Sequence, residues 1–449
     1  MSDLNPRQRA AVRYIDGPLL VLAGAGSGKT RVITEKIVHL VDRVGMNARN
    51  IAAVTFTNKA AREMKERVSQ RLDGKRSRGL KVSTFHSLGL DILRKEIKAA
   101  GYKPGFSIFD GQDATALLRE LMRREAGDTA LADQVQWRIS GWKNGFVGPE
   151  QALAEAAGDP ADTAAAQLYA EYERHLKAYN AVDLDDLIRL PVVLFENHPE
   201  VLERWQNRLR YLLVDEYQDT NTTQYELVKR LVGPRAALTV VGDDDQSIYA
   251  WRGARPENLA RLKEDFPRLE VIKLEQNYRS AGCILKAANR LIGNNPHVFE
   301  KSLWSELGYG EPIRVLSTRD EEHEAERIVS EILHHRFKHR TDYNEYAILY
   351  RGNHQSRLFE RALRESKIPY YLSGGTSFFA ATEIKDVMAY LRLLTNPDDD
   401  SAFLRVVHTP RRELGPSTLE KLGAYATERG QSLFAASFEL GLGQHLPER

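Results

Sequence analysis

The sequence predicts an α/β fold in which short apolar strands form a parallel sheet and long helices are inserted between them. Three observations predict this fold. A buried-strand pattern at residues 19–23 runs directly into a glycine-rich turn and a helix. Further short apolar runs follow it, and each of them ends in polar residues. Between residues 88 and 179, by contrast, apolar residues recur at helical spacing and no strand pattern interrupts them.

The first element is a helix that starts near residue 6. It places Gln8 beside the glycine-rich turn, where a side-chain amide is able to read both edges of an adenine ring. A solvated helix residue is the commoner role for a lone glutamine, so the sequence leaves both interpretations open at this point.

The segment LLVLAGAGSGKTR, residues 19–31, predicts a site for a triphosphate. Its glycines let the backbone curl around an anion, and the helix that follows directs N–H groups and a positive dipole end at the same point. Lys29 would reach the β- and γ-phosphates, and the Thr30 hydroxyl would bind Mg²⁺. The strict pattern has glycine where Ala23 stands, and alanine fits there if φ is negative. The loop residues expected around the phosphates are Ala23, Gly24, Ala25, Gly26, Ser27, Gly28, Lys29 and Thr30.

Two predicted strands come next, at residues 51–56 and 81–86. Polar residues stand at the carboxyl end of the first, where ligands bind in open α/β sheets: Thr55, Thr57, Asn58 and Lys59. His86 ends the second and is either a structural histidine or a ligand contact.

The predicted all-helical insertion extends from residue 88 to residue 179. It contains Trp137, Trp142, Lys143 and Asn144, which either belong to its core or line a path for nucleic acid.

The α/β pattern resumes with an apolar run that ends in Asp215 and Glu216, two carboxylates that cannot be there for packing. Asp215 would hold Mg²⁺ through its water shell, and Glu216 would accept a proton from the attacking water. The next strand ends in GDDDQ, which places Gln246 to sense the γ-phosphate. The loop beyond it carries aromatic and cationic residues that are either core residues or a surface on which single-stranded nucleic acid stacks. These residues are Tyr249, Trp251 and Arg252.

In EVIKLEQNYRS, residues 270–280, a further apolar strand passes into Asn277, Tyr278 and Arg279. This segment marks a domain boundary and is followed by a second α/β unit. Strands are predicted at residues 313–317 and 346–350, with Arg351 and Asn353 after the latter. The unit has too few strands to close its own sheet, and the pattern beyond residue 374 is helical.

Composition limits the class of protein. A chain of 449 residues suggests roughly three domains on a prior of about 150 residues each. The net charge of +2 does not mark a nucleic-acid-binding protein, so any basic surface must be local. The N-terminal residues lack the apolar core of a signal peptide, and no run approaches the ~18 apolar residues of a membrane span, so we expect a cytoplasmic protein without membrane contact. Its single cysteine, Cys283, excludes an internal disulfide and a cysteine-based zinc site.

Taken together, the motifs resemble those of superfamily 1A DNA helicases of the UvrD/Rep/PcrA group along all 449 residues. In chain order the matching segments are LNPRQRAAV, AGAGSGKTR, TFTNKAAREM, STFHSLG, LLVDEYQDT, GDDDQSIYAWRGA and LEQNYRS. The resemblance implies a RecA-like P-loop NTPase domain with a parallel sheet, all-helical insertions and an incomplete second RecA-like domain. It also implies an enzyme that uses ATP and Mg²⁺ to move 3′ to 5′ on single-stranded DNA and to unwind 3′-tailed duplexes in replication, replication restart or repair.

The resemblance also implies a role for each matching position. Gln8 would read adenine, Arg31 would lie beside the nucleotide, and Tyr278 would stack on the base. The implied catalytic residues are Lys29, Glu216, Gln246 and Arg279, of which Gln246 and Arg279 contact the γ-phosphate. The implied metal-binding residues are Thr30, Asp215 and Glu216. The positions that match single-strand contacts are Phe56, Thr57, Asn58, His86, Tyr249, Trp251, Arg252, Arg351 and Asn353.

By the same resemblance, domain 1A comprises residues 1–87 and 180–276, helical subdomain 1B residues 88–179, the first part of 2A residues 277–373, and the start of 2B residues 374–449. Family members continue further with motifs V and VI and a second arginine finger, none of which occurs in this sequence. We therefore expect a fragment, an expressed truncation, or a product that has lost the second half of its motor. Two functions stay open: a helicase, or a module that binds ATP and single-stranded DNA without unwinding. The implied setting is the bacterial cytoplasm, with replisome proteins as partners and a monomer or a DNA-induced dimer as the active form.

Overall fold

The structure is a computed structural model that describes residues 4–72, 74, 76–124, 128–250, 253–295, 299–373, 381–410 and 412–446. It divides into two compact units. The first comprises Met1–Glu311 and Ala389–Arg449, and the second comprises Pro312–Met388. The subdomain limits predicted from the sequence stay a prediction.

A six-stranded parallel sheet forms the centre of the first unit, with the strand order β3-β2-β6-β7-β1-β8. Among the described residues the strands are β1 (Leu19–Ala23), β2 (Ile51–Thr55), β3 (Lys81–Thr84), β4 (Ser107–Phe109), β5 (Ala181–Asp183), β6 (Tyr211–Val214), β7 (Leu238–Gly242) and β8 (Glu270–Leu274). Every residue of β1, β2, β6 and β7 is buried, as expected where helices cover both faces of a parallel sheet. The predicted α/β class with a parallel sheet is therefore confirmed.

Helices surround this sheet and form the inserted segments. In the described residues they are α1 (Pro6–Arg13), α2 (Lys29–Asp42), α3 (Asn58–Arg71), α4 (Phe85–Lys95), α5 (Gly111–Arg124), α6 (Ala132–Asn144), α7 (Pro149–Glu155), α8 (Pro160–Ala178), α9 (Asp186–Asn197), α10 (Pro199–Arg208), α11 (Thr222–Val232), α12 (Asn258–Asp265), α13 (Gly282–Ile292), α14 (Glu321–His339), α15 (Ser356–Glu365), α16 (Thr382–Thr395), α17 (Asp400–His408), α18 (Pro416–Arg429) and α19 (Leu433–Ala436). None of them combines the length and the apolar composition that crossing a bilayer requires.

Two sequence-based expectations about the first unit are wrong. The strand predicted at 81–86 ends at Thr84, because the Thr84 hydroxyl accepts the Ser87 N–H and so starts α4 at Phe85. His86 therefore lies in the first turn of a helix. The insertion is also not wholly helical, since β4 pairs in parallel with β5. A three-residue strand is too short to show a periodic pattern, which is why the sequence did not reveal β4.

The inserted helices share one hydrophobic core with the last helices of the chain. Leu118 and Tyr172 from the insertion belong to the same buried cluster as Val407 and Leu422. Trp142 packs at the edge of this core with its ring stacked on another aromatic side chain. The core interpretation therefore holds for Trp142, whereas Trp137 is exposed.

The second unit is built on α14 and α15, whose contact buries Ala325, Val329 and Leu363. The strands predicted at 313–317 and 346–350 do not form in the described residues, and this expectation is wrong for the structure. Val315 and Leu349, in the middle of these segments, are 91% and 92% exposed. A strand needs a neighbour that accepts and donates its ladder hydrogen bonds, and neither segment has one among the described residues.

Candidate active site

The phosphate loop connects β1 to α2 and can be formed only by glycine at two positions. Gly28 has φ of 90°, and a Cβ there would lie 2.8 Å from Nε2 of Gln8. Gly26 has φ of 69°, and a Cβ there would lie 2.6 Å from Nδ2 of Asn277. Backbone in the left-handed region and this close approach both exclude larger side chains. The loop is therefore enclosed between the first helix and the segment that follows β8.

Polar and charged residues that follow three adjacent strands meet at this loop. In the sheet β6 lies beside β7, and β7 lies beside β1, so that the residues after each strand meet at one edge. The Lys29 ammonium donates to Oε2 of Glu216 at 2.8 Å and to Oε1 of Gln246 at 3.1 Å. Glu216 has φ of 50°, a left-handed conformation that costs a non-glycine residue about 1 kcal/mol or more. Such local strain is typical of a functional position, because the surrounding structure must hold it in place.

Gln218 completes a ring of hydrogen bonds that the sequence did not reveal. Its Nε2 donates to Oε2 of Glu216 at 3.0 Å, and its Oε1 accepts the backbone N–H of Asp243 at 3.0 Å. A carboxylate oxygen of Asp243 in turn accepts a hydrogen bond from Nε2 of Gln246. The ring thus passes from Lys29 through Glu216, Gln218, Asp243 and Gln246 and back to Lys29. Its only signal in the sequence is the glutamine two residues after Glu216, and only the structure shows that this side chain is buried.

Asp215 follows β6 and is 5% exposed. One of its oxygens accepts the Glu216 backbone N–H at 3.0 Å. Burial and, to a smaller extent, the charge of Glu216 together raise the pKa of Asp215 to about 7, although the charge of Lys29 opposes both. A buried carboxylate that is hard to ionise is well matched to a divalent cation, which favours the charged form. Thr30, another of the predicted Mg²⁺ ligands, lies in the first turn of α2 next to Lys29.

The side of the loop that faces α1 carries the residues predicted to contact the base. Gln8 is 2% exposed, so it is not a solvated helix residue. Its Nε2 donates to the Ser27 carbonyl at 2.8 Å, and its Oε1 accepts the Asn5 N–H at 3.1 Å. Asn5 Nδ2 also donates to the Tyr278 hydroxyl at 2.8 Å. Gln8 and the half-exposed Tyr278 are therefore linked through one residue, Asn5, which the sequence analysis missed.

Tyr278 and Arg279 reach the loop through backbone contacts. The Tyr278 N–H donates to the Gly26 carbonyl at 2.9 Å, and Asn277 Nδ2 donates to the Ala25 carbonyl. The Arg279 N–H donates to Oδ1 of Asn277 at 2.8 Å, and its side chain is exposed. Asn277, which the sequence analysis did not assign to the site, therefore holds both neighbours against the phosphate loop. Arg31 lies one residue after Thr30 in α2 and is exposed.

The predicted DNA-contacting residues are only partly brought together. Phe56 packs edge-on against Phe85 with 5.5 Å between ring centroids, at the carboxyl ends of neighbouring strands β2 and β3. Thr57 caps α3 by accepting the Ala60 N–H at 3.1 Å. Further exposed positions of this set, in the first unit, are Asn58, His86 and Tyr249.

The other predicted DNA contacts lie elsewhere. Trp251 and Arg252 fall outside the described residues. Arg351 and Asn353 belong to the second unit, where Gln355 Oε1 accepts the Arg351 N–H at 3.1 Å. Asn353 begins a short 3₁₀ turn there.

Comparison with known proteins agrees with this arrangement. Residues 4–267 match the family model for the UvrD/REP helicase N-terminal domain, and residues 272–436 match that for the UvrD-like helicase C-terminal domain. Over 447 residues, 99% of the chain, the sequence is 63% identical to the ATP-dependent DNA helicase Rep of Salmonella typhimurium and to that of Escherichia coli. It is 43% identical over 442 residues, 98% of the chain, to the ATP-dependent DNA helicase PcrA of Staphylococcus epidermidis, of which it covers 60%. The chain spans 66% of the length of each of the two Rep relatives. The family expected from the motifs is thereby confirmed, and the chain belongs to the UvrD/Rep helicase family.

Proposed function

We propose that this chain binds ATP with Mg²⁺ at the phosphate loop and uses its hydrolysis to move 3′ to 5′ along single-stranded DNA, separating a 3′-tailed duplex. The observation that carries the proposal is the position of the Lys29 ammonium, which joins Glu216 and Gln246 at the end of the glycine loop. A cation, a carboxylate and an amide that converge on a phosphate loop are the groups that phosphoryl transfer to water requires.

Each of these three side chains has a separate task. Lys29 offsets the negative charge of the phosphates, and Gln246 donates to the γ-phosphate the second N–H of its Nε2, the first being donated to Asp243. Glu216 accepts the proton of the attacking water, because its carboxylate is partly exposed and is already directed at the loop by its left-handed backbone. Arg279 supplies a further positive charge to the γ-phosphate from the segment after β8.

Asp215 and Thr30 would hold Mg²⁺, which when bound neutralises charge on the phosphate oxygens. Oxygen donors are the ligands that this ion prefers. Burial of the Asp215 carboxylate supports the assignment, because a nearby cation offsets the cost of keeping that group ionised.

DNA would bind to the loops that follow the strands of the same sheet. Phe56 and Tyr249 offer aromatic faces there, and Trp251 with Arg252 would extend that surface by stacking and phosphate contact. Tyr249 follows Gln246 by three residues. A movement of Gln246 on binding or loss of the γ-phosphate would therefore shift the proposed DNA-binding loop through the backbone between them. Arg351 and Asn353, which belong to the second unit, are separate proposed DNA contacts.

Two assays on the 449-residue chain test the proposal, with Lys29→Ala as the control. ATP hydrolysis should be faster for wild type than for Lys29→Ala and should rise with single-stranded DNA. Strand displacement should occur on a 3′-tailed duplex and not on a 5′-tailed one. Binding of ATP and DNA without strand displacement would favour the second function, a binding module, and failure to bind ATP would refute both.

A further inference from the structure

Lys301 lies among three consecutive aspartates that follow β7. Its ammonium is 2.7 Å from Oδ1 of Asp243 and 2.9 Å from Oδ2 of Asp245, and it also bonds Oδ1 of Asp244. Only 4% of the Lys301 side chain is exposed, and the Asp243 and Asp244 side chains are buried to a similar extent. We call these four residues, Lys301, Asp243, Asp244 and Asp245, the Lys301 cluster. The cluster carries a formal charge of −2 and is largely shielded from solvent.

Three carboxylates this close together are a possible cation site, but here the ammonium of Lys301 is the cation. Oxygens of Asp243, Asp244 and Asp245 lie close enough to share one ion. The lysine nitrogen contacts all three of them. Burial alone would lower the pKa of Lys301, but hydrogen bonds and charges from the aspartates raise it above its ordinary value, so the ammonium stays charged. The cluster is therefore complete without a metal ion.

Asp243 connects the Lys301 cluster to the nucleotide site. One carboxylate oxygen of Asp243 contacts Lys301, and the other accepts Nε2 of Gln246. The amide oxygen of Gln246 then accepts the Lys29 ammonium at 3.1 Å. The Asp243 carboxylate fixes the orientation of the Gln246 amide, because it binds Nε2 and leaves Oε1 facing Lys29. A change at Lys301 therefore reaches Gln246, the predicted γ-phosphate contact, through the side chain of Asp243 alone.

Lys301 also belongs to a segment that pairs with the residues after β8. The Trp304 N–H donates to the Glu275 carbonyl at 3.1 Å, and the Asn277 N–H donates to the Trp304 carbonyl at 2.7 Å. Asn277 is the residue that holds the phosphate loop at Ala25. The lysine therefore joins the Gln246 loop to the segment that carries Tyr278 and Arg279.

We propose that Lys301 is a positioning residue for γ-phosphate recognition, which holds the Asp243 carboxylate in the orientation that directs the Gln246 amide at the nucleotide. This inference rests on the proposed ATP-binding function. Without the lysine, three adjacent carboxylates would face one another without a cation, and their mutual repulsion would push them apart. That displacement would remove the acceptor that orients Gln246.

The test compares Lys301→Met with wild type, with Lys301→Arg as the charge-restoring variant. Lys65→Met, at an exposed position of α3, is the matched control for loss of a lysine. Equilibrium titrations give Kd for ADP and for a non-hydrolysable ATP analogue, and steady-state assays give kcat and KM. For Lys301→Met we expect ADP affinity within about twofold of wild type, a fall of about tenfold in the preference for the ATP analogue, and a fall of about 10- to 100-fold in kcat. Lys301→Arg should recover part of both losses, and Lys65→Met should change neither.

Several results would overturn the inference. Equal loss of ADP and ATP-analogue affinity would mean that Lys301 only supports the fold, and unchanged preference and kcat would mean that it has no role. Failure of wild type to bind ADP would refute the proposed function, and the role of Lys301 with it. The preceding results would refute only the role of Lys301, so the two failures can be distinguished. If Lys301→Met does not fold, Asp243→Asn provides the same readout, because Lys301 then keeps two carboxylates while Gln246 loses its charged acceptor. Retention of the ATP preference by Asp243→Asn would also refute the proposal.

Discussion

Replacing Glu216 by glutamine should stop turnover without weakening nucleotide binding. The substitution keeps the shape of the side chain and removes its charge and its basicity. In the structure Oε2 of Glu216 accepts the Lys29 ammonium at 2.8 Å and Nε2 of Gln218 at 3.0 Å. A glutamine oxygen is able to accept both hydrogen bonds, so the left-handed backbone at residue 216 has no new reason to change.

The two expected magnitudes come from different interactions. A positioned general base contributes about 10²- to 10⁴-fold to a rate, which corresponds to about 3–5.5 kcal/mol of barrier. The ion pair with Lys29 is partly exposed, and such pairs contribute at most about 1 kcal/mol, so its loss leaves Lys29 somewhat more available to phosphate. We therefore expect ATP affinity to be unchanged or up to about fivefold higher in Glu216→Gln.

A fluorescent ATP analogue titrated against the protein measures affinity, and phosphate release measures turnover. Lys29→Ala is the contrasting variant, because it should lose affinity by removing the positive charge at the phosphates. Glu203→Gln, at an exposed position of α10, is the control for the same chemical change. If Glu216→Gln lost as much ATP affinity as Lys29→Ala, or kept more than about a tenth of the wild-type turnover, the role assigned to Glu216 would be wrong.

Further predictions concern the insertion and the DNA-binding loop. The fully buried Lys143 ammonium lies 2.6 Å from Asp183 and 2.9 Å from Asp186. Lys143→Met would leave these buried carboxylates without their cation, so it should lower the free energy of unfolding by about 3–5 kcal/mol in denaturant titrations. A loss below about 1 kcal/mol would contradict this. Burial raises the pKa of Asp183 to about 6, and the folded state therefore binds a proton more tightly than the unfolded chain. The contribution of Asp183 to stability should therefore fall as pH rises from about 4 to about 6, and Asp183→Asn should remove this contribution. Trp251→Ala should cost about 1–3 kcal/mol of single-strand affinity whatever the base sequence, and Arg252→Ala should reduce the salt slope by about one. Equal oligothymidine affinity of wild type and Trp251→Ala would show that the tryptophan is a core residue.

Local patterns in the sequence predicted the elements that carry the chemistry. An apolar run followed by GAGSGKT has few alternatives to a strand, a phosphate loop and a helix, and β1 and α2 form as expected. Asp215 and Glu216 were predicted at the sheet edge because carboxylates are costly in an apolar core unless they have a partner or a task. The expectations that failed, such as the strands at 313–317 and 346–350, depend on pairing with residues distant in the chain.

From its sequence alone this protein could be assigned to an α/β class with a phosphate loop, and candidate catalytic side chains could be named. The hydrogen-bonded ring through Gln218 and Asp243, and the place of Lys301 beside it, could not be predicted. Residues 29, 216, 246 and 301 are brought together because β6, β7 and β1 are neighbours in the sheet and because the segment after β8 returns to the same edge. Periodicity and turn chemistry act over a few residues, whereas this arrangement results from strand pairing and burial across more than 250 positions of the chain.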